Sequence, residues 1–281
     1  MKKTIITVAV ALVLGGCTAT IKESRFIQQD EQVTSYTQSF ITDLDKRTPN
    51  HQVIQISMQA DNEALTLNGL HLDHPSTSNT ILYIPGNGMS VEKAAKKALV
   101  ELAEYGSDIV IFDRRGLGAS DGKATIANLI SDANLSFDYA KNILKAEKVI
   151  VHGYSLGSFV AAQVAKNKTI DGLVMQGSAT NVDDWIDEAM PWYSKVFVNV
   201  KVDDAFYKVD NRQVVSEDYS GPLLVIGGGK DKQTPAVLSQ KLFDASNSEI
   251  KQLVIAEEAN HGQMFDNKKV KMAYSGFISA L

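Results

Sequence analysis

The chain is poor in cysteine: Cys17 is the only one, so no disulfide can close within it. It has no stripe of lysine and arginine, and its net charge is −5 with histidine neutral, which argues against a nucleic-acid partner. It has no internal repeat, no low-complexity stretch and no apolar run of comfortable membrane-spanning length. Nothing in the composition points to disorder. With 281 residues, 44% of them hydrophobic, the chain can bury a substantial core, as one large α/β domain or two small ones.

The single cysteine is informative through its position. Met1-Lys2-Lys3 supplies a positive start, Thr4 to Leu14 a short apolar run, and Leu14-Gly15-Gly16-Cys17 follows. This is the layout of a secretory signal over residues 1–16. The last four residues resemble the lipobox of bacterial lipoproteins, which implies that Cys17 becomes the lipidated first residue of an exported chain. Several acyl chains on one residue would anchor a domain stably, whereas a single chain is marginal. The resemblance implies a cell-envelope location. Thr18, where an Asp would signal inner-membrane retention, tilts the expectation to the outer membrane, facing the periplasm.

Beyond Cys17, Phe26, Ile27, Val33, Tyr36, Phe40, Ile41 and Leu44 recur at helical spacing, which predicts a tether and one or two amphipathic helices over 17–50. No catalytic content is visible there. Alternation from His51 predicts two strands turning near Asp61-Asn62. Short apolar runs at Thr80–Ile84, Asp108–Phe112, Lys148–His152, Gly172–Gln176, Pro222–Ile226 and Lys251–Ile255 read as buried strands. Helical stretches separate them, including Val91 to Tyr105 and Ala124 to Leu144. The alternation implies βαβ units and a mostly parallel sheet. Trp185, Met190, Trp192, Tyr193, Phe197, Phe206 and Tyr207 crowd a segment of weaker order. It is expected to form a small, mainly helical cap inserted at about 179–219.

The chemistry centres on Gly153-Tyr154-Ser155-Leu156-Gly157, which follows a β-rich run and precedes a helical one. Gly-x-Ser-x-Gly in that setting reads as a nucleophile elbow. The tight turn lifts the serine hydroxyl out of the sheet, and the flanking glycines let helix and strand approach. A serine hydroxyl needs a base, and the base needs an acid to hold its tautomer. His261 lies just past the last predicted strand and is the candidate base. His51, His71 and His74 read as surface residues, and His152 as packed beside the site. Asp231, after Gly227-Gly228-Gly229-Lys230, is the favoured acid, with Asp183 or Asp184 as the competing position, and Pro235 suits the first turn of the next helix. Backbone N–H groups of Leu156 and of Asn87 or Gly88, in Pro85-Gly86-Asn87-Gly88, are the expected oxyanion donors. The chemistry needs no metal and no cofactor.

Taken together with the Asp113-Arg114-Arg115-Gly116-Leu117-Gly118-Ala119-Ser120 turn, which reads as architectural, these motifs resemble the α/β-hydrolase superfamily from about residue 51 to the end. The nearest likeness is to its compact serine aminopeptidase-like and BEM46-like members. The resemblance implies an eight-stranded, mostly parallel sheet flanked by helices, a domain over 51–281, and Ser155, Asp231 and His261 as a triad. Pro85 stands where many members carry His. The expected activity is hydrolysis of an ester, thioester or amide with a small-molecule or acyl substrate. A non-catalytic envelope binding or assembly lipoprotein on the same scaffold is the competing expectation.

Overall fold

The computed structural model describes residues 17–60, 65–190 and 198–281. The expected leader over 1–16, the Cys17 side chain, the turn at Asp61-Asn62, and Trp192, Tyr193 and Phe197 lie outside the described residues. Among the described residues no helix is long and apolar enough to cross a membrane.

The described residues form ten strands: β1 (Cys17–Ile21), β2 (Gln52–Gln59), β3 (Thr66–Asp73), β4 (Asn79–Ile84), β5 (Asp108–Phe112), β6 (Lys148–Tyr154), β7 (Gly172–Gln176), β8 (Val198–Val202), β9 (Leu223–Gly228) and β10 (Lys251–Ala256). Eight of them form one sheet in the order β10-β9-β7-β6-β4-β5-β3-β2. β3 pairs antiparallel with both its neighbours, and the other pairings are parallel. This is the mostly parallel, helix-flanked sheet expected above. β5, β7 and β9 are buried along their whole length, as strands covered on both faces must be. The two faces of the sheet carry separate apolar clusters, one under the helices Ile126–Asp138 and Leu156–Asn167, the other under Lys268–Ala280 and the Val91–Ala103 region.

The helical stretches depart from the sequence reading in detail. Val91 to Tyr105 divides into Val91–Ala95 and Ala98–Ala103, broken at Lys97, whose φ of −143° and ψ of −63° leave the helical region. Ala124 to Leu144 becomes Ile126–Asp138 followed by a π-helical turn, Tyr139–Ile143. Pro235 stands just before the helix Ala236–Ala245, as its N-cap.

Two corrections concern larger features. Residues just past Cys17 do not begin a helix: β1 pairs in parallel with β8, register Cys17 to Val198 through Ile21 to Val202, so the tether and the inserted segment share a two-stranded sheet. Among its described residues the insertion is mainly helical, as expected: the helix Val182–Ala189 and short helical segments over 204–218, with β8 between them. The histidines expected at the surface are also largely inside: His51 and His71 are each 6% exposed. His51 Nε2 lies 3.0 Å from the Ser107 carbonyl, and His71 Nε2 lies 3.3 Å from Asp108 Oδ2. Those neighbours come from β5 and the residue before it, which strand periodicity at β2 and β3 does not reveal.

The Asp113–Ser120 turn ties strands to loops. Asp113 accepts from the Val91 N–H at 2.7 Å, the Ala119 N–H at 2.9 Å and the Tyr36 hydroxyl at 2.7 Å. Burial pushes this carboxyl up while the three donors work the other way. Arg115 grips Asp132 through two 2.8 Å bonds, a buried bidentate pair joining the turn to the helix Ile126–Asp138.

Candidate active site

β6 ends at Tyr154, and Ser155 turns the chain into the helix Leu156–Asn167 with φ 54° and ψ −122°. Positive φ is strained for a residue with a Cβ, so the turn persists only because its surroundings enforce it. They do so by close approach. A Cβ on Gly157 would collide with the Ile84 carbonyl, and one on Gly153 with the backbone of Gly157 and Ser158. The Ser155 N–H donates to the Gln176 carbonyl at 2.9 Å, locking the elbow to the end of β7.

His261 and Asp231 meet in space. The His261 Nδ1 lies 2.7 Å from Asp231 Oδ2, and the Asp231 side chain is fully buried. Burial works against the Asp231 carboxylate. The hydrogen bonds from His261, the Thr234 N–H and the Thr234 hydroxyl outweigh it and hold the group below the usual carboxylate range. The Asp231 carboxylate also takes the Gln233 N–H at 2.8 Å. With Asp231 on Nδ1, the proton sits there and Nε2 carries none. That Nε2 is buried and has no hydrogen-bond partner among the described residues. The ring stands beside Gly177, where a Cβ would be 3.1 Å from its Cε1, and Gly177 directly follows the Gln176 that holds Ser155. Tyr154 supports it from below, its hydroxyl donating to the His261 carbonyl at 3.1 Å. The competing carboxylates are placed elsewhere: Asp183 is exposed, and Asp184 accepts from Thr180 at 2.5 Å and lies 3.5 Å from Lys241 Nζ.

His152, buried behind the site, lies between the Tyr274 hydroxyl at 3.1 Å and Gln176 Oε1 at 3.0 Å. Burial depresses its pKa to about 3, so the ring is neutral at physiological pH.

The candidate oxyanion loop, 85–88, is built by close packing. Gly86 lies against the elbow, since a Cβ there would be 3.2 Å from the Ser155 Cβ. Among the described residues neither the Asn87 nor the Leu156 N–H has an acceptor. Both residues line, with Ser155, a cavity of about 260 Å3. Its walls are apolar: Phe26, Ile126, Leu129, Phe159, Trp185 and Phe206 among them, with Lys232, Gln233 and Thr234 at one side.

Three contributors were missed in the sequence. Phe26 meets Trp185 and Phe206 edge-on, with ring centroids 5.7 and 5.3 Å away, so the N-terminal segment walls the cavity. Thr234 donates to Asp231 Oδ2 at 2.8 Å; an Asp followed three residues later by Thr in a turn is a readable signal. Arg114 reaches Gly86, Asn87 and Gln28 together, and no local pattern announces that.

Comparison with known proteins agrees with the fold described above. A family model described as alpha/beta hydrolase fold matches residues 79–201. An esterase of Pyrococcus furiosus of known structure superposes with a TM-score of 0.69 at 17% identity, covering 90% of this chain and 97% of that one. A lysophosphatidylserine lipase of Danio rerio is 25% identical over 60% of this chain and 47% of its own. An uncharacterised Mycobacterium tuberculosis protein is 24% identical over 77% of this chain and 76% of its own. The chain spans only 4% of the length of the Vibrio vulnificus multifunctional-autoprocessing repeats-in-toxin protein, to which it is 22% identical.

Proposed function

We propose that this protein, whose fold is that of the α/β-hydrolases, is a serine hydrolase that cleaves a carboxylic ester, thioester or amide through an acyl-enzyme. The observation that carries the reading is the His261–Asp231 pair, 2.7 Å apart, with a buried Nε2 that has no partner among the described residues and a ring packed on Tyr154, which precedes the strained Ser155. His261 Nε2 takes the Ser155 proton as Oγ attacks the substrate carbonyl. The tetrahedral oxyanion is held by the N–H groups of Asn87 and Leu156, at the dipolar start of a helix. The proton then passes to the leaving group, the acyl-serine forms, and water activated by the same histidine releases the acid. The apolar cavity favours an apolar acyl group, and the esterase and lipase among the similar proteins point the same way.

A fluorophosphonate probe labels the wild-type serine, and Ser155→Ala abolishes both labelling and turnover, lowering kcat by roughly a millionfold without loss of fold. Hydrolysis is read on a panel of acyl esters from short to long chains beside aminoacyl amides. Unchanged turnover in Ser155→Ala would count against the mechanism, and a wild-type protein inert to the probe would favour a binding role on the same scaffold.

The mature chain is further proposed to be tethered to the bacterial envelope, at the outer membrane facing the periplasm, through lipid on Cys17. The support is the Leu14-Gly15-Gly16-Cys17 pattern behind a short apolar leader. Labelled palmitate is incorporated into the wild-type chain, and Cys17→Ser abolishes it and moves the protein to the soluble fraction. Membrane retention of Cys17→Ser would sink the proposal.

A further inference from the structure

We propose that Arg114 is a positioning residue for the oxyanion loop: by holding the Gly86 carbonyl it turns the Asn87 N–H toward Ser155. The inference rests on the serine-hydrolase reading and adds to it a residue outside the triad and the donor pair.

The argument runs through one peptide bond. Arg114 Nη1 donates to the Gly86 carbonyl at 3.3 Å, and the Met89 N–H donates to the same oxygen at 3.2 Å. No cis peptide occurs among the described residues. In a planar trans peptide the carbonyl of one residue and the N–H of the next point in opposite directions. Fixing the Gly86 oxygen on one side therefore fixes the Asn87 N–H on the other. Gly86 itself abuts the Ser155 Cβ, so this peptide plane lies at the elbow. A glycine is conformationally permissive, and without restraint the Gly86–Asn87 plane could rotate and lose the donor.

The guanidinium is suited to this. Its Nη2 donates to the Gln28 carbonyl at 2.9 Å and to Asn87 Oδ1 at 3.0 Å. Its three bonds thus go to neutral oxygens, two of them on residues 86 and 87. The planar fork sets their mutual orientation as a lysine ammonium would not. A charged donor on the Gly86 carbonyl also polarises that peptide, which strengthens its N–H as a donor. Asn87 in turn clasps the N-terminal segment, its Nδ2 donating to the Phe26 carbonyl at 2.7 Å and its Oδ1 accepting from the Gln28 N–H at 2.9 Å. A purely structural role for Arg114 would consist of helping to hold that segment.

Steady-state kinetics on one chromogenic ester, with wild type, Arg114→Ala, Arg114→Lys, Asn87→Ala and Ser155→Ala, separate the accounts. Loss of a positioned oxyanion donor predicts that Arg114→Ala lowers kcat by about a hundredfold, with KM within about twofold. Arg114→Lys falls between it and wild type. Added guanidinium ion restores part of the rate in Arg114→Ala, but sodium chloride at equal ionic strength does not. Asn87→Ala loosens the N-terminal segment yet keeps its own N–H and the Arg114–Gly86 bond, so it loses less kcat than Arg114→Ala. The proposal is overturned if Arg114→Ala stays within twofold of wild-type kcat, or if Asn87→Ala loses as much. Should Arg114→Ala fail to fold, Arg114→Lys with wild-type kcat overturns it equally. Full activity in Ser155→Ala brings down the hydrolase reading and this one with it, whereas a dead Ser155→Ala beside a normal Arg114→Ala brings down this one alone.

Discussion

His152 illustrates how burial sets chemistry at a single residue. It sits one strand position from Gly153, yet its partners are Tyr274 and Gln176 and its pKa is pushed down to about 3. A neutral ring in the folded state and an ordinary imidazole in the unfolded chain make stability pH-dependent. Above the unfolded pKa, near 6.5, the contribution is fully present. As pH falls from there toward 3, the unfolded chain takes up a proton that the folded one refuses, and stability drops by about 1.4 kcal/mol per pH unit. Between pH 6.5 and 5 this amounts to about 2 kcal/mol, by the same linkage. Urea unfolding at the two pH values should show that loss in the wild type and a smaller one in His152→Gln. Equal losses in both would mean that the ring is protonated within the fold. The Asp231 carboxyl, held low by its hydrogen bonds, likewise contributes stability that is lost as pH falls, but there it is the charged form that the fold favours.

Among the elements, the stretch from Glu23 to Thr34 matters most to the site, although periodicity alone assigns it nothing beyond packing. Glu23 accepts from the Ile126 N–H at the start of the helix that lines the cavity, and its own N–H donates to Asp203 at 2.8 Å. Asp30 takes the Gly118 N–H at 2.8 Å. Between these ends Phe26 closes the wall against Trp185 and Phe206. Phe26→Ala should therefore lengthen the cavity and move the kcat/KM optimum toward longer acyl esters. Its effect on stability should be below the 3–5 kcal/mol typical of a buried Phe, because the ring is only half-buried. An acyl-length profile identical to wild type would show that Phe26 does not bound the acyl site.

At the scale of the whole molecule, the site lies where the parallel strands end. β4 delivers Gly86 and Asn87, β6 delivers Ser155, β9 is followed by Asp231, and β10 by His261. The N-terminal segment runs from β1, paired with the inserted β8, to the loop that carries Asn87. If Cys17 carries lipid, as proposed, the anchored end of the chain and the wall of the cavity are joined by that one short segment. Anchor, cap and pocket would then form a continuous unit, without a free tether between membrane and domain.

The sequence by itself determined the strands of the sheet and where Ser155, Asp231 and His261 fall along it. Those features are local: unbroken apolar runs mark strands covered on both faces, glycines mark turns, and chain order sets which loop follows which strand. Tertiary structure alone decided that His51 and His71 are buried, that β1 pairs with β8, and that Arg114 and Gln28, 86 residues apart, share a hydrogen bond beside Asn87. Such contacts join side chains to backbone carbonyls or pair distant strand edges, and every residue offers those groups alike. Periodicity and composition carry no record of which carbonyl a given guanidinium will meet; only the folded arrangement of the loops brings the two within reach.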